Sequence, residues 1–233
     1  MEQLRTVFFL GLLTGLLLLI GGVFGGPDGV VVAFGFAILM NGISYFFSDK
    51  IVLAIYRAQP VDEKTIEGKR IHSLVRNVSM QMKIPLPKLF IVNEKSPNAF
   101  ATGRDPEHAA IAFTQGILPL LNDEELTGVI AHELSHVKNR DVLVATMAAT
   151  IAGAIGMLAH MMQWAAFGSR DRDSKNIIGL IVIAISVPII AMLIQLAVSR
   201  SREFLADETA AHTLHTGKGL ASALGKLEKG IHH

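Results

Sequence analysis

The run Val129 to Asp141 reads VIAHELSHVKNRD and holds His132, Glu133 and His136 as an H-E-x-x-H. On a helix, residues four apart share a face, so His132 and His136 can offer two imidazole nitrogens to one metal ion while Glu133 lies beside it as a base. That is the arrangement of a zinc-dependent hydrolase. Three specified positions in five recur by chance, so the flanking residues must support a helix. They do. Asn122 followed three residues later by Glu125 makes a capping box, and Asp123, Glu124 and Glu125 put negative charge where a helix N-terminus favours it. From there Leu126, Ile130, Leu134 and Val137 fall on one stripe with both histidines well away from its centre, so the stripe packs inward and the histidines face a cleft.

A hydrolytic zinc site takes three protein ligands and leaves a fourth position for water. The chain has no cysteine, so the ligands come from His, Asp and Glu, and no disulfide can form. An H-E-x-x-H-x-x-G-x-x-H pattern is excluded, because Asn139 stands at its glycine position and Asp141 to Val144 holds no His. The remaining common arrangement is an acidic residue far downstream. In Arg200 to Ala210, RSREFLADETA, Glu203 is placed to supply it, and Asp207, four residues on, to accept the free N–H of a ligating histidine and fix its tautomer. The competing reading makes Glu203 an ordinary salt-bridge partner of Arg200 or Arg202.

What separates these residues is apolar. Of 233 residues, 51% are hydrophobic and only 18% charged, with a mean hydropathy of +0.45, which points to a membrane protein. A net charge of +1, from 21 basic and 20 acidic residues, provides no field to attract nucleic acid. Four runs free of Asp, Glu, Lys and Arg fit membrane spans: Thr6 to Phe24, Gly29 to Phe47, Val142 to Phe167, and Ile177 to Val198, the last interrupted by Pro188 and Gln195. The first two are joined by the turn Gly25-Gly26-Pro27-Asp28. A cleaved signal peptide is the competing reading of the first run, but no small-x-small cleavage site follows it. Within the third, His160 reads as packed against a neighbouring helix and Trp164 as an interfacial anchor.

Between the second and third runs the chain enters water. Ile66 to Met82 has helical spacing and stops before Pro85 and Pro87; Lys88 to Val92, Ala99 to Thr102 and Ala109 to Thr114 read as strands, forming a small antiparallel sheet ahead of the catalytic helix. Lys50, Arg57, Arg200 and Arg202 flank the spans on the side of this segment, which places it in the cytoplasm, although Arg170, Arg172 and Lys175 lie in the opposite loop. The expected fold is thus an α+β membrane protein, mainly α, with four transmembrane helices, a small antiparallel sheet and a zincin-type catalytic helix. Its expected parts are an N-terminal transmembrane hairpin (1–48), a cytoplasmic zincin-like domain (49–141), a second hairpin (142–198) and a C-terminal helical part carrying the third ligand (199–233). If the strand from Asn98 to Thr102 is a sheet edge, Asn98, Ala99, Phe100 and Ala101 can bind an extended substrate backbone; if it is internal, Asn98 is a turn residue after Pro97.

Three motifs in order, Asn98-Ala99-Phe100-Ala101-Thr102-Gly103, His132-Glu133-x-x-His136 and, beyond a membrane hairpin, Glu203-Phe204-Leu205-Ala206-Asp207, resemble the HtpX family of membrane-bound zinc metalloproteases, relatives of the CaaX prenyl proteases. The resemblance implies one Zn2+ per chain held by His132, His136 and Glu203, with Glu133 as catalytic base and the 98–103 segment along the cleft. It also implies a prokaryotic plasma (inner) membrane, misfolded or damaged membrane proteins as substrates, and relatives that continue for some tens of residues past position 233. The expected function is a membrane-bound zinc metalloendopeptidase acting in quality control. An intramembrane protease is disfavoured by the charged residues on both sides of the motif. The alternative from another class is a zinc-dependent membrane scaffold or chaperone-like protein without turnover.

Overall fold

In the computed structural model, residues 26–168 and 174–230 are described, with isolated helical positions at 8, 9, 12, 15, 16 and 19 before them. Most of the expected span Thr6 to Phe24, the side chains of His160 and Trp164, and residues 169–173 lie outside the described residues. Gly26–Phe46 forms helix α1 and Ser48–Ile55 helix α2; β1 (Gln59–Pro60) follows. Helix α3 (Ile66–Met82) starts where the Thr65 hydroxyl accepts a hydrogen bond from the Gly68 N–H and ends at Lys83 in a left-handed cap. Then come β2 (Lys88–Val92), β3 (Ala99–Thr102), β4 (Ala110–Thr114), the short helix α4 (Ile117–Leu120) and the helix of the H-E-x-x-H, α5 (Asp123–Lys138). Helices α6 (Asp141–Gly168), α7 (Ser174–Leu214) and α8 (Lys218–Gly230) complete the chain.

The chain divides into two units, 1–44 with 144–202 and 45–143 with 203–233; helices α1, α6 and α7 each contribute to both. In the first, Ala148, Ile151, Ile155 and Leu158 of α6 form a stripe buried against Val187, Ala191, Ile194 and Val198 of α7. Among the described residues, two helices are long and apolar enough to cross a membrane, with windows at Asp141–Ala159 and Ile185–Leu214.

The second unit carries the sheet, in the order β1-β2-β4-β3. The expectation of an antiparallel sheet is corrected: β1 on β2 and β3 on β4 are antiparallel, but β2 and β4 run parallel, with Leu89 opposite Ile111, so the sheet is mixed. The reason lies in β4. All five of its residues are buried, and a strand covered on both faces belongs in the middle of a sheet, so β4 is inserted between β2 and β3 rather than added outside β3. This leaves β3 at an edge. The core below it joins Ile71, Val75, Val78 and Met82 of α3, Ile111 and Phe113 of β4, and Leu126, Ile130 and Leu134 of α5, all buried.

Two polar devices fix α5. Arg70 of α3 donates to the Leu118 and Leu121 carbonyls and to Asp123, closing the loop before the helix. The Asn122 and Glu125 capping box is complete, and the same Glu125 carboxylate accepts from Lys226 Nζ (2.7 Å) and the Ser222 hydroxyl (2.7 Å) of α8. Helices α5 and α8 meet closely because Gly128 faces the backbone of Leu220, where a Cβ would collide. The hydrogen bonds from Lys226, Ser222 and the Asn122 N–H hold the Glu125 carboxyl down from 4.5 to about 2. A carboxyl lowered in the fold stabilises it fully above its unfolded value and loses that contribution as the pH falls towards the folded one. Glu125→Gln is therefore expected to unfold at a lower temperature than the parent at neutral pH, with the gap closing as the pH drops from 4.5 towards 2; a thermal melt series in detergent reads it.

Candidate metal centre

Helix α5 presents His132 and His136 one turn apart, their side chains 18% and 21% exposed. Helix α7 brings Glu203 and Asp207, also one turn apart, against them. His132 Nε2 lies 3.3 Å from His136 Nε2, and Glu203 Oε2 lies 3.5 Å and 3.7 Å from these two nitrogens. His132 Nδ1 meets Asp207 Oδ1 at 2.9 Å, and His136 Nδ1 meets Asp141 Oδ2 at 2.6 Å. A carboxylate accepts only, so each Nδ1 carries a proton and donates it to its Asp, which turns each Nε2 towards the space shared with the Glu203 oxygen.

Two imidazole nitrogens and a carboxylate oxygen converging in this way could hold a cation. The triangle also has the right size: metal–ligand bonds of about 2.0–2.2 Å in a tetrahedron imply ligand–ligand edges of roughly 3.3–3.6 Å. His132, His136 and Glu203 are the group among the described residues able to hold a metal ion. Two imidazoles and a carboxylate, with no thiolate, suit zinc with one position left open.

Asp141 escaped the reading of the sequence. The chain leaves α5 through Asn139 and Arg140, and Arg140 adopts φ 55°, a left-handed turn that brings the first residue of α6 back beneath His136. Burial disfavours a charged His136, but the Asp141 hydrogen bond and the neighbouring carboxylates outweigh it and raise its affinity for protons. The available signal was an acidic residue five positions past the second histidine at a helix break. Asp141→Asn is expected to lower metal affinity by about 10–100-fold while the fold is retained, as measured by competition with a chromogenic chelator.

Glu133 points from α5 towards β3. Desolvation pushes its carboxyl up from the ordinary value, against the pull of His132 and His136, and its Oε2 accepts the Ala101 N–H at 3.1 Å. Only alternate residues of an antiparallel strand bond across to its partner. Asn98 O accepts from Thr114 N–H, so Ala99 and Ala101 turn their backbone groups to the open edge. Asn98, exposed and one residue before β3, has its backbone N–H bonded to Thr114 Oγ1. Phe100 packs its ring 4.9 Å from that of Tyr56. His212 and His215 are exposed and stand apart from this cluster.

Residues 65–233, well over half of the chain, match the family model of Peptidase family M48. The chain belongs to that family. A protein of Syntrophobacter fumaroxidans named Protease HtpX homolog is 51% identical over 237 residues, covering 99% of this chain and 83% of that one. Homologs of the same name from Desulforapulum autotrophicum (48% over 231 residues; 97% and 74% covered) and Thermococcus kodakarensis (50% over 234 residues; 99% and 80% covered) are similar along nearly all of it. Within M48, therefore, this is an HtpX-type member and a metallopeptidase, and the two long apolar helices among the described residues associate it with a membrane.

Proposed function

We propose that the protein is a zinc metalloendopeptidase that cleaves misfolded or damaged membrane proteins, acting in quality control from a prokaryotic plasma membrane. In this reading it crosses the bilayer four times, in two hairpins over 1–48 and 142–198, and its catalytic parts over 49–141 and 199–233 face the cytoplasm. The observation that carries it is the triangle of His132 Nε2, His136 Nε2 and Glu203 Oε2 with Glu133 beside it. Those three residues would hold one Zn2+ per chain, which supplies Lewis acidity towards a peptide carbonyl and eases ionisation of water.

The remaining work belongs to the chain. Asp207 and Asp141 keep both imidazoles in the tautomer that leaves Nε2 free. Glu133 takes the proton of the attacking water and returns it to the leaving amine; its desolvated carboxyl is the stronger base for that. An extended substrate lies along β3, pairing with the outward backbone of Ala99 and Ala101, with Asn98 and Phe100 at the flanks. Because the Glu133 carboxylate occupies the Ala101 N–H in the free enzyme, substrate pairing there frees the base as it docks. Main-chain pairing is tolerant of sequence, as a protease of damaged proteins requires.

Incubating the detergent-purified chain with casein, with and without a chelator, separates this from the scaffold alternative. Cleavage should be lost on chelation and restored by zinc. Cleavage indifferent to the chelator, or none at any zinc level, would contradict it.

A further inference from the structure

Helix α2 follows α1 with a single residue between them, and its exposed side is apolar. Phe47, Ile51 and Ile55 recur every four residues along one stripe, and Phe46 and Tyr56 extend it at either end. All five are exposed, Ile55 to 71% and Phe46 to 57%, in a unit whose core is built from other elements. Single exposed apolar residues are ordinary, but five large ones on eleven consecutive positions (46 to 56) are a surface. Its charges are those of a membrane interface: Lys50 holds its ammonium 5.5 Å from the Phe47 ring, Arg57 closes the segment, and Asp49, just before Lys50, is its one acidic residue. Aromatic, aliphatic and basic side chains on a short helix directly after an apolar one match the boundary between acyl chains and anionic headgroups.

The same segment grips the strand beside the catalytic base. Tyr56 stacks on Phe100 of β3, the Tyr45 hydroxyl donates to the Arg104 carbonyl (2.9 Å), and the Arg104 guanidinium lies 5.6 Å over the Phe46 ring. Arg104 is itself locked to Asp105 (3.2 Å) and His108 (2.8 Å) in the turn after β3. Both ends of the edge strand are thus tied to the segment around α2.

We propose that α2 lies in the headgroup layer of the bilayer, with Phe47, Ile51 and Ile55 at the acyl boundary, and holds the β3 edge at the membrane surface. The polypeptide offered to that edge is then a stretch emerging from the bilayer, which gives the substrate class a physical basis. The inference rests on the membrane-bound reading above, and its first test is blind to peptidase activity.

The chain has one tryptophan, so Ile55→Trp with Trp164→Phe places the sole indole at position 55. Reconstituted in phosphatidylcholine and phosphatidylglycerol vesicles with brominated acyl chains, its emission should be strongly quenched by the lipid and insensitive to iodide. Quenching by iodide alone would put the face in water, and protection from both quenchers would mean that protein covers it; either result overturns the proposal. For function, Ile51→Asp with Ile55→Asp should cleave casein in detergent at the parent rate but lose activity several-fold against a substrate anchored in the same vesicles. Rates that change in parallel on the two substrates would overturn the seating of β3, whereas a parent enzyme that cleaves neither would count against the peptidase reading alone.

Discussion

Replacing Glu133 with Gln should lower peptide cleavage by roughly 10²–10⁴-fold while leaving the bound metal in place. The two halves of this expectation have separate origins. The proposed metal donors are His132, His136 and Glu203, and the two imidazoles are held by Asp207 and Asp141 rather than by Glu133. The proton transfer, by contrast, is assigned to the Glu133 carboxylate, which lies against β3 through the Ala101 N–H. Glutamine keeps the length and can still accept the Ala101 N–H through its amide oxygen, so the strand and the helix stay in register. What it lacks is the basic oxygen. Single-turnover cleavage of casein at equal metal content, measured by atomic absorption, isolates that loss. Parent-like turnover in the variant would remove Glu133 from the chemistry.

Glu203→Ala should lose metal and activity together. Two imidazoles one turn apart remain, but a hydrolytic zinc site takes three protein ligands, and deletion of one exceeds the effect of removing a supporting hydrogen bond, so affinity should fall by more than about 100-fold. Asp207→Asn provides the comparison. It leaves all three donors in place and loosens only the His132 ring, so its affinity should fall in the range of about 10–100-fold and its activity should recover with added zinc. The ranking of the two variants matters more than either value. If Glu203 were merely a salt-bridge partner of Arg200 or Arg202, its replacement would leave metal affinity untouched and Asp207→Asn would be the more damaging change.

Local rules made much of this molecule legible. The capping residues Asn122 and Glu125 and the stripe Leu126, Ile130, Leu134 and Val137 give a helix whose observed bounds are Asp123–Lys138, and the spacing in Ile66 to Met82 gives the observed α3. The strands fell where apolar runs met turn residues, although β4 begins at Ala110 rather than Ala109. What local rules could not supply was long-range. Alternation along a strand marks its faces but not the direction of its neighbour, so the parallel pairing of β2 with β4 was missed even though Ala110 to Phe113, apolar throughout, reads as an interior strand. Asp141 was missed for a related reason: helical phase counts on an unbroken helix, and the left-handed Arg140 resets it. Glu203, expected as an acidic residue beyond the last apolar run, and Asp207, its i+4 neighbour on one helix, do lie against His132 in the structure. Pro188, expected to interrupt its run, sits inside the unbroken helix α7.

The central claim is that the third metal donor arrives on α7, from the far side of the apolar segments that follow His136. A high-resolution structure of the zinc-loaded protein tests it most directly. One ion should be bonded to His132 Nε2, His136 Nε2 and a Glu203 oxygen at about 2.0–2.2 Å, with a water in the fourth position. An ion held by the two histidines with Glu203 turned away, or completed by a different side chain, would contradict it.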